Sequence, residues 1–166
     1  MKAMKKILAL ALAGVMALAL LTGCGTGGSA SHKSIAEAMA DYGRVVENKP
    51  NITYTSSPDL DAKLRSLAAN PGFKFEDVVK AVYNGESPSI PSSVVLNDKV
   101  VYLYCGKYDK DAGKQVINLN AHYTHIGTNT DLANERQIGL IATSFTDDTT
   151  HEKVKVRFAV VVSPKP

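Results

Sequence analysis

Ten residues near the C-terminus constrain this chain more than any others. Across 153–162, Val154, Val156, Phe158, Val160 and Val162 alternate with Lys153, Lys155 and Arg157. Successive side chains of a strand point to opposite faces, so the segment reads as a strand with one buried and one wet face. One-sided burial of this kind belongs to an antiparallel sheet covered on a single side. Three more segments read as strands between turn residues: 94–105, broken near Asn97-Asp98, then 115–126 and 137–145. In 115–126, Ile117, Leu119, Ala121 and Tyr123 share one face, and Asn118, Asn120, His122 and Thr124 share the other. Short connections favour pairing of sequential neighbours, which makes the four strands a meander.

The cover for that sheet must come from upstream, where the apolar period is helical. Ser34-Ile35-Ala36-Glu37 reads as a capping box, followed by Ile35, Met39, Tyr42 and Val46 on one face and by Asn48-Lys49-Pro50 as a stop. Gly43 inside this helix costs about 1 kcal/mol against Ala. Residues 52–55 suit a short edge strand. Ser57-Pro58 is an N-cap with Pro at the first helical position, Leu60, Leu64 and Leu67 form the buried stripe, and Asn70-Pro71-Gly72 closes the element. A third helix over 75–83 turns Val78, Val79 and Val82 inward and stops at Asn84-Gly85. The Pro- and Ser-rich stretch 86–93 joins helices to strands. The expected class is α+β, with two or three N-terminal helices packed on one face of an antiparallel four-stranded meander sheet. That layout broadly resembles cystatin-like and NTF2-like domains, a likeness of fold that carries no function.

The first thirty residues carry a different message. Lys2, Lys5 and Lys6 make a basic start, and residues 7–21 form an unbroken apolar run. Roughly 15 residues fall short of the ~20 that a helix needs to span a bilayer core. A charged start, a short apolar centre and small residues are the parts of a secretory signal. The zone Leu21-Thr22-Gly23-Cys24 resembles the lipobox of bacterial lipoproteins. That resemblance implies lipid transfer to the Cys24 sulfur, cleavage before it, and an extracytoplasmic protein held on a membrane. In a host with two membranes, Gly25 rather than Asp after the cysteine implies the outer one. Residues 1–23 are then the signal, 24–32 the lipidated cysteine with a Gly/Ser tether, and 33–166 a single domain. The tether is too poor in apolar side chains to order itself.

Removal of the signal changes the charge balance. The whole chain has 19 Lys and Arg against 16 Asp and Glu, and the signal holds three lysines and no acid. The remainder is neutral at 16 against 16, which gives nucleic acid no electrostatic footing. Only Cys105 remains as a thiol once Cys24 is acylated, so no intrachain disulfide forms. Cys105 reads as a small core hydrophobe.

No signature of catalysis emerges. There is no Gly-x-Ser-x-Gly elbow and no phosphate-cradling glycine loop, and no cofactor is implied. On a strand, His122 and His125 stand on opposite faces and cannot share a metal ion. Asp147, Asp148, His151 and Glu152 sit in one turn, where such residues cap backbone groups. Ala121-His122-Tyr123-Thr124-His125 resembles the Gly-His-Tyr-Thr-Gln box of CAP domains. That resemblance implies a cation- or ligand-binding cleft at His122, although Ala121 replaces the leading Gly and the family's upstream histidine is absent. The wet sheet face offers the other candidate: Asn118, Asn120, His122 and Thr124, joined by Lys155 and Arg157 of the last strand, would line a polar groove. The expected function is therefore a membrane-anchored binding or envelope-accessory domain, for a partner protein or a small ligand.

Overall fold

The computed structural model describes residues 30–90 and 99–165. The expected signal, Cys24 and the expected tether up to residue 29 lie outside the described residues, as does the start of the strand expected over 94–105. In chain order the elements are α1 (His32–Val46), β1 (Thr53–Ser56), α2 (Pro58–Ala68), α3 (Phe75–Tyr83), β2 (Lys99–Lys107), α4 (Ala112–Ala121), β3 (Tyr123–Ile126), β4 (Glu135–Thr146) and β5 (Lys153–Pro164). The class is α+β, with four helices and a five-stranded mixed sheet among the described residues.

The strand order is β1-β4-β5-β2-β3. β1 runs parallel to β4, and the other three pairings are antiparallel. The four-stranded antiparallel meander is corrected by this arrangement: β4 and β5 form the expected hairpin, but β5 then returns to pair with β2. That return places β5 at the centre of the sheet. Both edges are four-residue strands, short enough to offer little template for further pairing.

Helices cover both faces, which corrects the expectation of one wet side. Val156, Phe158, Val160 and Val162 of β5 pack with Leu60, Leu64, Phe75, Val78, Val79 and Val82 of α2 and α3. On the reverse face Ala159 and Val161 meet Ile35, Ala36 and Met39 of α1, and Val116 and Leu119 of α4. The polar alternation of β5 ends at Arg157, itself buried, and the unbroken apolar run 158–162 is that of a strand covered on two sides.

The largest correction falls on 115–126. Residues 112–121 are helical, and only Tyr123–Ile126 is a strand. Ile117, Leu119 and Ala121 fit a period of two, but so brief a window also fits a helix. Val116 decides between them: with Ala112 and Leu119 it completes a helical stripe against the sheet. Asp111 starts the helix, its carboxylate accepting from the Lys114 amide at 2.9 Å. Buried Gln115 ties the preceding loop down, accepting from Asp109 N and donating to Lys107 O.

Two strand glycines mark where helices touch the sheet. A Cβ on Gly106 would lie 2.4 Å from the carbonyl carbon of Asn118, in α4. On the other face, a Cβ on Gly139 would lie 2.5 Å from Leu60 Cβ, in α2. Glycine inside a strand often signals such an approach. β4 continues beyond β1, and there α2 replaces the missing partner strand. The Leu140 amide donates to the buried carboxylate of Asp61 at 2.7 Å.

The start of α1 is also corrected. Ser31, not Ser34, is the cap, accepting from the Ser34 amide at 3.0 Å. Glu37 is exposed one turn in and faces Lys33. Ahead of this cap, the Ala30 amide donates to Lys110 O at 2.9 Å. Cys105 is buried within the α2/α3 core, as expected for a small hydrophobe. Burial pushes its thiol up to about 12. Because only the thiolate attacks, the native protein is expected to resist alkylation at about pH 8 and to react fully once unfolded. Mass spectrometry with and without denaturant reads both states.

Candidate functional site

The sheet polar groove does not assemble. Asn118 and Asn120 lie on α4, where their side-chain amides donate to Lys107 O at 3.0 Å and to Val116 O at 2.9 Å. His122 follows that helix, and its ring stacks on Tyr83 of α3 with centroids 5.0 Å apart. Thr124 pairs with Leu103 and so faces the same side as α3. Arg157 is buried on the reverse face, over the Tyr108 ring at 4.6 Å. The five residues divide between the two faces because α4 occupies the place of an expected strand. His122 and His125 also separate, the first toward Tyr83 and the second toward Tyr102. Among the described residues, no group of three or more His, Cys, Asp or Glu could hold a metal ion.

A different constellation forms at the β2/β3 edge. β2 places Tyr102 and Tyr104 on the face shared with α1, because they are two residues apart. The antiparallel register sets Tyr123 opposite Tyr104 and His125 opposite Tyr102. Tyr104 and Tyr123 stack at 5.5 Å, while Tyr102 lies 6.1 Å from Tyr123 and 5.8 Å from His125. These separations fall within the range in which aromatic pairs attract. Burial grades across the cluster. Tyr104 is at the base, Tyr102 is half-buried, and Tyr123 is 54% exposed. Tyr42 of α1 stands close by: burial raises its pKa first and the neighbouring Tyr123 phenol adds to the effect.

The base of the cluster is held by a buried cation. Arg136 of β4 donates to both carboxylate oxygens of Glu47, at 2.6 and 2.7 Å, and to the Tyr54 hydroxyl at 2.9 Å. Its Nε donates to Ala133 O at 2.8 Å. The Arg136 side chain is 1% exposed and that of Glu47 33%. Burial alone would lower the guanidinium pKa, but the hydrogen bonds it donates to Glu47 and Tyr54 leave it raised. Burial pushes the Tyr104 phenol well above its usual value, with Tyr54 adding to it. These phenols therefore stay protonated at physiological pH and act as hydrogen-bonding groups rather than nucleophiles.

The rim is polar. The Tyr102 hydroxyl donates to Thr130 O at 2.7 Å and so fastens the 127–134 loop beside the rings. In that loop the Asn129 side chain accepts from the Asp131 amide. The arrangement offers flat π faces inside a ring of hydroxyl, imidazole and amide groups. Sequence reasoning placed Tyr123 on a strand's apolar face and passed over Tyr102 and Tyr104. A signal was present: five of the chain's seven tyrosines (42, 54, 102, 104 and 123) belong to this corner. The chain matches no family model, no curated protein and no solved structure.

Proposed function

We propose that the protein is an extracytoplasmic lipoprotein, anchored through Cys24, that binds a saccharide at its tyrosine corner without transforming it. The anchor is supported by the lipobox sequence and the neutral remainder of the chain. The binding reading rests on one observation: a large aromatic ring, Tyr123, stands 54% exposed on an edge strand, with Tyr104 stacked on it, Tyr102 tilted beside it and His125 against Tyr102. A sugar ring presents an apolar C–H face and a polar rim, the complement of rings bordered by hydrogen-bonding groups. The rigid Arg136–Glu47 base holds the rings in place before a ligand arrives, which reduces the ordering cost of binding.

The chain has seven tyrosines and no tryptophan, so ligand stacking is readable in tyrosine fluorescence. Titration with soluble peptidoglycan fragments is expected to saturate, and Tyr123→Ala is expected to weaken binding by about tenfold, as loss of a stacked aromatic anchor does. Equal affinity in the variant, or no saturable response in the parent, rules out this corner as a saccharide site. The anchor is tested apart from it. Labelled palmitate should enter the parent and not Cys24→Ser, and the variant should change its membrane fractionation.

A further inference from the structure

The neutral balance of the domain conceals an uneven distribution. At the end of the sheet where β2 finishes and β5 begins, Lys107, Lys110, Lys114, Lys153, Lys155 and Arg157 stand with the carboxylates of Asp109, Asp111, Asp147, Asp148 and Glu152, of which Asp148 is paired with Lys80. The five lysines are exposed, and among the described residues no ion pair within 4.0 Å involves any of them. By contrast, Lys33, Lys49, Lys63 and Lys80 each have a carboxylate partner. Three of these acids are already engaged by backbone amides, Asp109 with that of Asp111, Asp111 with that of Lys114, and Asp147 with those of Thr149 and Thr150.

This cationic end is also where the chain leaves toward Cys24. Ala30 donates to Lys110 O, and its carbonyl accepts from Arg157 Nη2 at 3.3 Å. The Tyr108 ring lies beneath Lys155 Nζ at 3.9 Å and Arg157 at 4.6 Å, and Tyr108 N donates to Lys155 O. Ala30 therefore touches the Arg157 side chain and the Lys110 backbone directly, and Lys155 shares the Tyr108 ring with Arg157. Six Cα-to-Cα steps separate Ala30 from Cys24, a reach of at most ~21 Å extended and about 13 Å as a flexible coil. A cysteine sulfur in the headgroup layer would hold these lysines within one or two Debye lengths of the lipid phosphates.

We infer that this end of the domain docks onto the anionic phospholipid headgroups of the membrane that carries the anchor, so that the tyrosine corner is held in a set orientation instead of tumbling on the tether. The inference rests on the proposed acylation of Cys24. Clustered lysines next to a lipid attachment are the usual second signal for stable membrane contact.

The test uses the full protein purified from membranes and reconstituted into vesicles of phosphatidylcholine, with or without phosphatidylglycerol. Lysine acylation rates are read by mass spectrometry, and the same digests report the acyl mass on the Cys24 peptide. The five lysines are expected to react about fivefold more slowly on anionic vesicles and to recover in high salt, while Lys63 on α2 is unchanged. A Lys107→Glu/Lys110→Glu/Lys155→Glu variant with unaltered thermal unfolding should lose the protection at Lys114 and Lys153. Equal rates on both vesicle types, with Cys24 acylated, overturn the docking face. Protection on anionic vesicles with Cys24 unmodified keeps the face and removes the anchor.

Discussion

Glu47→Ala is expected to destabilise the domain by about 3 kcal/mol, the lower end of the cost of stranding a buried charge, because one partner is partly exposed. For a domain of this size that is a fall of roughly 10 °C in the unfolding midpoint. The effect is asymmetric in an informative way. Without Glu47, Arg136 is a 1%-exposed cation left with a phenol and a carbonyl for company. Without Arg136, Glu47 still reaches water and faces Lys49 at 3.6 Å. Arg136→Met should therefore cost only about 1–2 kcal/mol, since it replaces the cation with an apolar chain of similar length. Thermal melts of the two variants and the double variant form a cycle. Equal costs, or a larger one for Arg136→Met, would show that the cation is not isolated from solvent as described.

The same pair predicts an acid dependence. For Glu47, burial pushes the pKa upward, but the hydrogen bonds and charge of Arg136 leave it lowered from the ordinary 4.5. A carboxylate whose folded pKa lies below its unfolded one contributes fully above the unfolded value. That contribution is lost as pH falls through the lowered folded value. The parent should thus lose stability below about pH 4.5 more steeply than Glu47→Gln, in which this group cannot titrate.

Gly106→Ala is expected to cost about 3 kcal/mol, the upper end of the range for forcing atoms into a packed interior. The added carbon would lie 2.4 Å from the Asn118 carbonyl carbon, 2.5 Å from its oxygen and 2.6 Å from Leu119 N, all backbone atoms. No side-chain rotation relieves such a clash, so α4 must lift from β2. Hydrogen exchange should then accelerate across 112–121 and leave α2, on the opposite face, unchanged. Gly43→Ala is the contrasting substitution. There the new carbon meets Ile52 Cδ1 at 3.4 Å, an ordinary contact, and the helix gains roughly 0.5–1 kcal/mol. A Gly106→Ala protein as stable as the parent would mean that the close helix–strand approach is absent in solution.

Local chemistry determined a large part of this protein. Ser57-Pro58 starts α2, Asn84-Gly85 ends α3 with Gly85 at φ +76°, and the Val154–Val162 alternation sets the face of β5. Each depends on residues within a turn or two of one another, so the information lies in the order of the chain. Residues 112–121 mark the boundary of that legibility. Their apolar pattern fits both periods over so short a window until Val116 is set against the sheet with Ala112 and Leu119, and Gly106 then lets the helix backbone rest against β2.

The tertiary structure alone decided what lies far apart in sequence. It put β5 between β4 and β2, covered both faces, and separated Asn118, Asn120, His122, Thr124 and Arg157, which strand alternation had grouped. It brought Tyr42, Tyr102, Tyr104 and Tyr123 together over Arg136, and it gathered lysines from β2, α4 and β5 around the chain's exit at Ala30. Composition counts charges and rings without regard to where they go, and an even total of cations and anions has the same sum whether mixed or segregated. Packing is what separates them, because each helix can bury only one face and carries its polar side chains wherever that face is set.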